Sequence, residues 1–128
     1  MLPFSLNTHV LVSHLRSNSL LLALTLANLL FNVIANASFK ISAGSGSLRG
    51  FLTWQVVGNL AGFITVLTLT GMLRYLPLHV AFPLTTGLAV IGVQMVAGRL
   101  YFGESVSNLD WLGAILVVAG IVCLTRGE

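Results

Sequence analysis

The chain predicts an all-α membrane protein: four transmembrane helices in an up-down-up-down bundle. Three observations carry that expectation. Of 128 residues, 56% are apolar and only 7% charged, with a mean hydropathy of +0.98, far from the composition of ordinary soluble domains. Apolar runs fall at 19–39, 52–72, 77–98 and 109–125, each close to the ~20 residues that cross the hydrocarbon as a helix. The links between them are short, which makes successive helices antiparallel neighbours. A soluble four-helix bundle would carry a charged outer face on each helix, and none is present here.

Residues 1–18 form an N-terminal extension with His9, His14 and Arg16, and residues 19–126 form one four-helix domain. The extension either lies along the interface or lacks order. A competing reading is a cleaved export signal, with Arg16 before the apolar run and Ala35-Asn36-Ala37 in small-x-small form. The run is long for a signal and three more spans follow it, which weighs against that reading.

The first span holds Asn28, Asn32, Asn36 and Lys40, four residues apart. Steps of four stay close to one face of a helix, so these side chains form a polar ladder about 18 Å long. Lipid cannot solvate such a face, which must look into protein or a water-filled cavity that holds a polar substrate. Ser42-Ala-Gly-Ser-Gly-Ser47 makes a flexible turn to the second span. There Gln55 and Asn59 extend the polar lining or act as glue between helices, while Gly58 and Gly62 suit close packing.

Arg74-Tyr75-Leu76-Pro77 opens the third span. Pro83 removes a backbone donor and crowds the carbonyl four residues earlier, so a kink is expected there. With Thr85, Thr86 and Gly87 following, Pro83 and Gly87 read either as a hinge or as a static packing bend. Gln94 needs an interior partner. The third connector runs through Arg99 and Glu104 to Asp110. Ser107 or Asn108 is expected to cap the fourth span, with Asp110 in its first turn. Gly113 and Gly120 share one face of that helix and suit tight association.

Charge and absence exclude several functions. Arg16, Arg74 and Arg126 fall on one side of the expected topology; Lys40, Arg49 and Arg99 fall on the other. This balance gives little orienting bias, so either the chain inserts both ways and pairs antiparallel, or another feature sets one orientation. Spread over both faces, the net charge of +3 gives no basis for nucleic-acid binding. The only acidic residues, Glu104, Asp110 and Glu128, lie at loop or terminal positions. Proton relays rely on buried Asp, Glu or His, and His79 is the one titratable candidate near a membrane edge. No catalytic or metal-ligating constellation lies in the spans, and no cofactor is expected. A lone cysteine, Cys123, excludes an internal disulfide.

Together, Lys40 closing the first span, Leu76-Pro77 opening the third, Val80-Ala81-Phe82-Pro83-Leu84-Thr85-Thr86-Gly87 within it, Phe102-Gly103-Glu104 in the last loop and Gly113-x6-Gly120 in the fourth resemble the small multidrug resistance family of the drug/metabolite transporter superfamily. The similarity covers about residues 20–126. It implies a multi-pass protein of the cell membrane, in bacteria the inner membrane. The protomer would dimerise, often antiparallel, around a cavity lined by the first three helices. Gly113 and Gly120 match the family's dimer seam, and Phe82, Thr85 and Gly87 its substrate-facing and hinge region.

Two departures accompany the match. Asn32 stands where the antiporters place the membrane glutamate that exchanges protons for cations, and Thr85 where they place a tryptophan. The chain also resembles the divergent paired subunits that flip aminoarabinose linked to a polyprenyl phosphate. Amides suit sugar hydroxyls, and Lys40 or Arg99 near the boundary suits a phosphate. The resulting expectation is a carrier of a polar or lipid-linked substrate, lined by Asn28, Asn32, Asn36, Lys40, Gln55, Asn59, Phe82 and Thr85. It would work as a homodimer or with a related small subunit. The alternatives are an exporter of drugs or small cations and a subunit with no transport of its own.

Overall fold

The computed structural model describes residues 5–126; the first four residues of the extension and the final Gly127-Glu128 lie outside that range. Helix α1 spans Ser5–Ala43, α2 Leu48–Met72, α3 Leu78–Gly92 and α4 Asn108–Arg126. After α3 the chain continues as a π-helical segment over Val93–Tyr101. Among the described residues, four helices are long and apolar enough to cross a membrane, the third when α3 and the π segment are taken together. This is an all-α, multi-pass membrane protein.

Local sequence explains most of the boundaries. No proline or glycine occurs between Ser5 and Ala43, so nothing separates residues 5–18 from the first span and α1 runs through both. Gly44 and Gly46 then end it. Ser47 caps α2 by accepting the Gly50 amide at 3.1 Å. Pro77 precedes α3, where its fixed φ suits a helix start. Ser107 and Asp110 cap α4 reciprocally: Ser107 Oγ accepts the Asp110 amide at 3.2 Å, and Asp110 Oδ2 accepts the Ser107 amide at 2.8 Å. Two boundaries differ from the sequence expectation: α1 shows none between residues 18 and 19, and the third connector begins later. Arg99 belongs to the π segment and not to a connector.

The packing is inverted relative to a soluble protein. Apart from Met72, which is large, apolar and fully buried, the buried positions are small or polar: Ala35, Ala61, Ala81, Ala97 and Ala114 with Asn28, Ser38, Ser42, Thr68 and Thr85. Large apolar side chains such as Leu30, Leu60, Phe63, Leu100 and Leu116 are exposed. In water such a surface would aggregate; in lipid it is solvated, and small residues let the helix backbones approach.

Helices α1 and α2 run antiparallel and share the most extensive interface. Along it Leu24 meets Gly71, Asn28 meets Thr65 and Thr68, Phe39 meets Gly58, and Ser42 Oγ donates to Phe51 O at 2.8 Å. Helix α3 approaches the other side of α1, with Leu29 and Val33 against Gly92. Helix α4 packs on α3, where Ile121 lies against Gly87.

The two glycines of the G-x-x-x-G in α2 have different environments. A Cβ on Gly58 would stand 2.5 Å from the Phe39 ring, whereas one on Gly62 would meet nothing within 4 Å. Gly58→Ala is therefore expected to lower stability by about 1–3 kcal/mol through overpacking, and Gly62→Ala to leave the protomer's stability near wild type. Denaturant unfolding of the purified variants in detergent, followed by helical circular dichroism, checks the contrast.

Candidate functional site

The amide ladder of α1 does not keep to one face. Each step of four residues overshoots a full turn by about 40°, so Lys40 lies about 120° round the helix from Asn28. The structure divides the ladder accordingly. Asn28 is 3% exposed and turned to α2, where its Nδ2 donates to Thr65 O at 2.9 Å and Thr68 Oγ1 at 3.0 Å. Its Oδ1 is buried with no partner among the described residues. Asn28 is thus a tether between helices. Asn32, Asn36 and Lys40 turn to the other side and form one wall of a groove against α3 and the π segment.

The groove consists of two adjoining cavities that share Asn36, Val93 and Gln94. The deeper, of about 320 Å³, is lined by Asn32 and Asn36 opposite Thr86, Ala89, Val90 and Gln94. The outer, of about 400 Å³, runs from Asn36 past Lys40 to Gln94, Gly98, Phe102, Glu104 and Asp110. Asn36 Nδ2 donates to Asn32 O at 2.9 Å and Asn32 Oδ1 at 3.2 Å, so the two amides present one polar surface with acceptor capacity left over.

The π winding builds the second wall. Its residues Val93, Ala97 and Gly98, with Phe102 just after it, all line the outer cavity, a spacing of four to five that fits i→i+5 hydrogen bonding. The Phe102 amide accordingly reaches Ala97 O at 3.0 Å. Ordinary α-helical winding would carry Phe102 roughly half a turn away from Val93. Because the winding is π, Phe102 comes under the Lys40 ammonium, with Nζ 5.9 Å from the ring centroid. Lys40 is also ion-paired with Glu104.

The remaining sequence candidates lie elsewhere. Thr85 is buried, and its hydroxyl donates to Ala81 O and Phe82 O, each at 3.1 Å. The neighbouring Thr86 lines the groove instead. Phe82 and Pro83 border an apolar hollow with Leu78, His79 and Leu124. Pro83 sits inside α3 and Gly87 packs on Ile121. On α2, Trp54 faces an apolar pocket with Ile34, Ala37, Ile41 and Tyr101. Gln55 and Asn59 lie about 100–140° further round that helix. They form a second amide pair, with Asn59 Nδ2 donating to Gln55 O at 2.7 Å, and neither lines the groove. Gly113 and Gly120 are on the open side of α4, where a methyl group at either position would meet nothing within 4 Å. Sequence reasoning undervalued Gln94 and missed the pairing of Lys40 with Glu104; the signal available was opposite charge at two span ends.

No family model and no solved structure matches the chain. Curated relatives do. The multidrug resistance protein EbrB of Bacillus atrophaeus is 30% identical over 109 residues, 84% of this chain and 87% of that one. The spermidine export protein MdtI of Klebsiella pneumoniae is 32% identical over 97 residues, 75% and 84% of the two chains. The chain belongs to the small multidrug resistance family. A third member, the probable 4-amino-4-deoxy-L-arabinose-phosphoundecaprenol flippase subunit ArnF of Photorhabdus laumondii, is 34% identical over 74 residues, 57% of this chain and 59% of its own. These relatives are named as a multidrug resistance protein, an export protein and a probable flippase subunit, and not as enzymes.

The division of the ladder has a measurable consequence. Asn28→Ala is expected to lower the stability of the protein in detergent by about 1 kcal/mol, the scale of an interhelical side-chain bond in a membrane. Asn36→Ala, whose amide bonds only within α1, is expected to leave stability unchanged. Parallel unfolding curves for the two variants test this.

Proposed function

We propose that the groove between α1 and the third span is the path of a polar or lipid-linked head group, carried across the membrane by alternating access. One observation supports this most: Asn32, Asn36 and Gln94 converge on a groove in a protein whose exterior is otherwise mainly apolar. Uncompensated amides in lipid cost several kcal/mol, so the groove needs solvent, a partner helix or a guest. Amides offer donors and acceptors together, the complement of sugar hydroxyls. In this reading Asn32, Asn36, Lys40, Thr86 and Gln94 bind the substrate, Gln55 and Asn59 supply a second polar surface on α2, and Pro83 with Gly87 forms the hinge.

Asn32 cannot titrate, and no Asp or Glu precedes Glu104 in the chain. Proton exchange at a mid-membrane carboxylate is therefore not the coupling mechanism in this reading, and the substrate moves down its own gradient. Export of a small organic cation is the second reading. It is favoured by Glu104 and Asp110 at the outer end of the groove and by the relative named for spermidine export. Accumulation driven by an imposed pH gradient in proteoliposomes would favour that reading over a flippase. The double variant Asn32→Leu/Asn36→Leu is expected to reduce transport at least tenfold while the protein still inserts and folds. An unchanged cellular phenotype in that variant would instead mark a subunit without transport of its own.

The open face of α4 supports dimerisation, with a second copy or a related small subunit. Trp111, Ala114, Val118, Ile121 and Thr125 are buried or half-buried in the protomer, while Gly113 and Gly120 are exposed. Small residues permit the close helix contact of a dimer seam. Gly113→Ile/Gly120→Ile is expected to shift the purified protein from dimer to monomer in analytical ultracentrifugation, with helical content retained.

A further inference from the structure

The outer end of the groove holds a charge pair whose two members the transport readings use separately and not together. Lys40 lies near the end of α1 and Glu104 in the loop before α4, and they meet in an ion pair with both side chains about half exposed. Glu104 is placed there by its backbone. Gly103 takes a left-handed φ of 64°, which turns the chain so that the Glu104 amide donates to Gly98 O at 2.9 Å. A residue with a Cβ adopts that φ at a cost. Phe102, beneath the ammonium, completes the arrangement.

A guest entering this end therefore meets a pair and not a lone cation. A purely anionic guest engages Lys40 only by leaving the Glu104 carboxylate unpaired beside it. A purely cationic guest engages Glu104 only by displacing Lys40. A guest that carries an ammonium and an anionic group a few ångströms apart replaces both partners at once. Asp110 also lines this cavity. Its Oδ2 is bonded to the Ser107 amide and hydroxyl, each at 2.8 Å, so it stays at the cap of α4 and adds a fixed negative charge that disfavours a bare anion.

We propose that Lys40 and Glu104 together make the groove selective for zwitterionic head groups, anions that also bear an amine, with Glu104 as the specificity-determining residue. This rests on the groove being the substrate path and names the class of substrate. Because exposed ion pairs are individually weak, the discrimination is roughly three- to tenfold and not a thousandfold.

The test uses the full chain in lipid nanodiscs, titrated calorimetrically with phosphoethanolamine, glycerol 3-phosphate and ethanolamine, which carry both charges, the anion alone and the cation alone. Wild type is expected to bind phosphoethanolamine roughly three- to tenfold tighter than either single-charge probe. Glu104→Gln is expected to bring glycerol 3-phosphate level with it or above, and Lys40→Gln to do the same for ethanolamine. The swapped pair Lys40→Glu/Glu104→Lys is expected to restore the zwitterion preference, which a misfolded variant cannot do. An identical order of the three probes in all four proteins, or no binding by any, overturns the proposal. Flux of the probes through liposomes separates it from the transport reading. Preferences that shift without flux keep the binding assignment and remove transport, whereas flux without a shift removes the zwitterion assignment and keeps transport.

Discussion

Lipid offers no hydrogen bonds, and that constraint organises the whole chain. Every polar side chain in the four spans must find a partner in the protein, in a water-filled groove or in a guest. The buried hydroxyls meet it by bonding to backbone carbonyls, as Ser38 does with Ile34 O and Thr85 with Ala81 O. Asn28 meets it with its amide nitrogen across the α1–α2 interface, while its Oδ1 stays buried with no partner among the described residues. Asn32 and Asn36 meet it only in part, by bonding within their own helix. The groove forms where the partnering is incomplete, and that is why it is the candidate site.

The same constraint explains the division between core and surface. With large apolar side chains solvated by lipid, helix association depends on close approach, so alanine and glycine occupy the contacts. Gly58 admits the Phe39 ring and Gly92 admits Leu29, which sets α2 and α3 on different sides of α1. The remaining amides of α1 lie on the side that faces α3 and the π segment, where the helices leave a groove between them. A tight interface and an open groove therefore have one origin, the alternation of small and polar residues round a single long helix.

Much of this was legible in the residues. Four apolar runs with short links specify four helices, and the ladder marks Asn36 and Lys40, which line the groove. Three features were not legible. Fourfold spacing drifts round a helix, so Asn28 parted from the residues below it. The ordinary helical period misplaces everything after Gly92, because Val93–Tyr101 winds as a π helix; this hid the shared face of Val93, Ala97 and Phe102. Thr85 and Thr86 are adjacent in the sequence but about 100° apart on the helix, and only packing against α1 decides which of them meets the groove.

Composition and periodicity by themselves determined that the chain crosses the membrane four times, that no carboxylate lies before Glu104, and that amides must sit within the spans. These are one-dimensional properties, fixed by how many apolar residues follow one another and by which residues can ionise. Tertiary structure decided which amides are tethers and which are lining, and it brought Lys40 against Glu104 across sixty-four positions of chain. Such a pairing depends on the turn at Gly103 and the winding before it. Both are set by backbone geometry, which side-chain spacing does not encode.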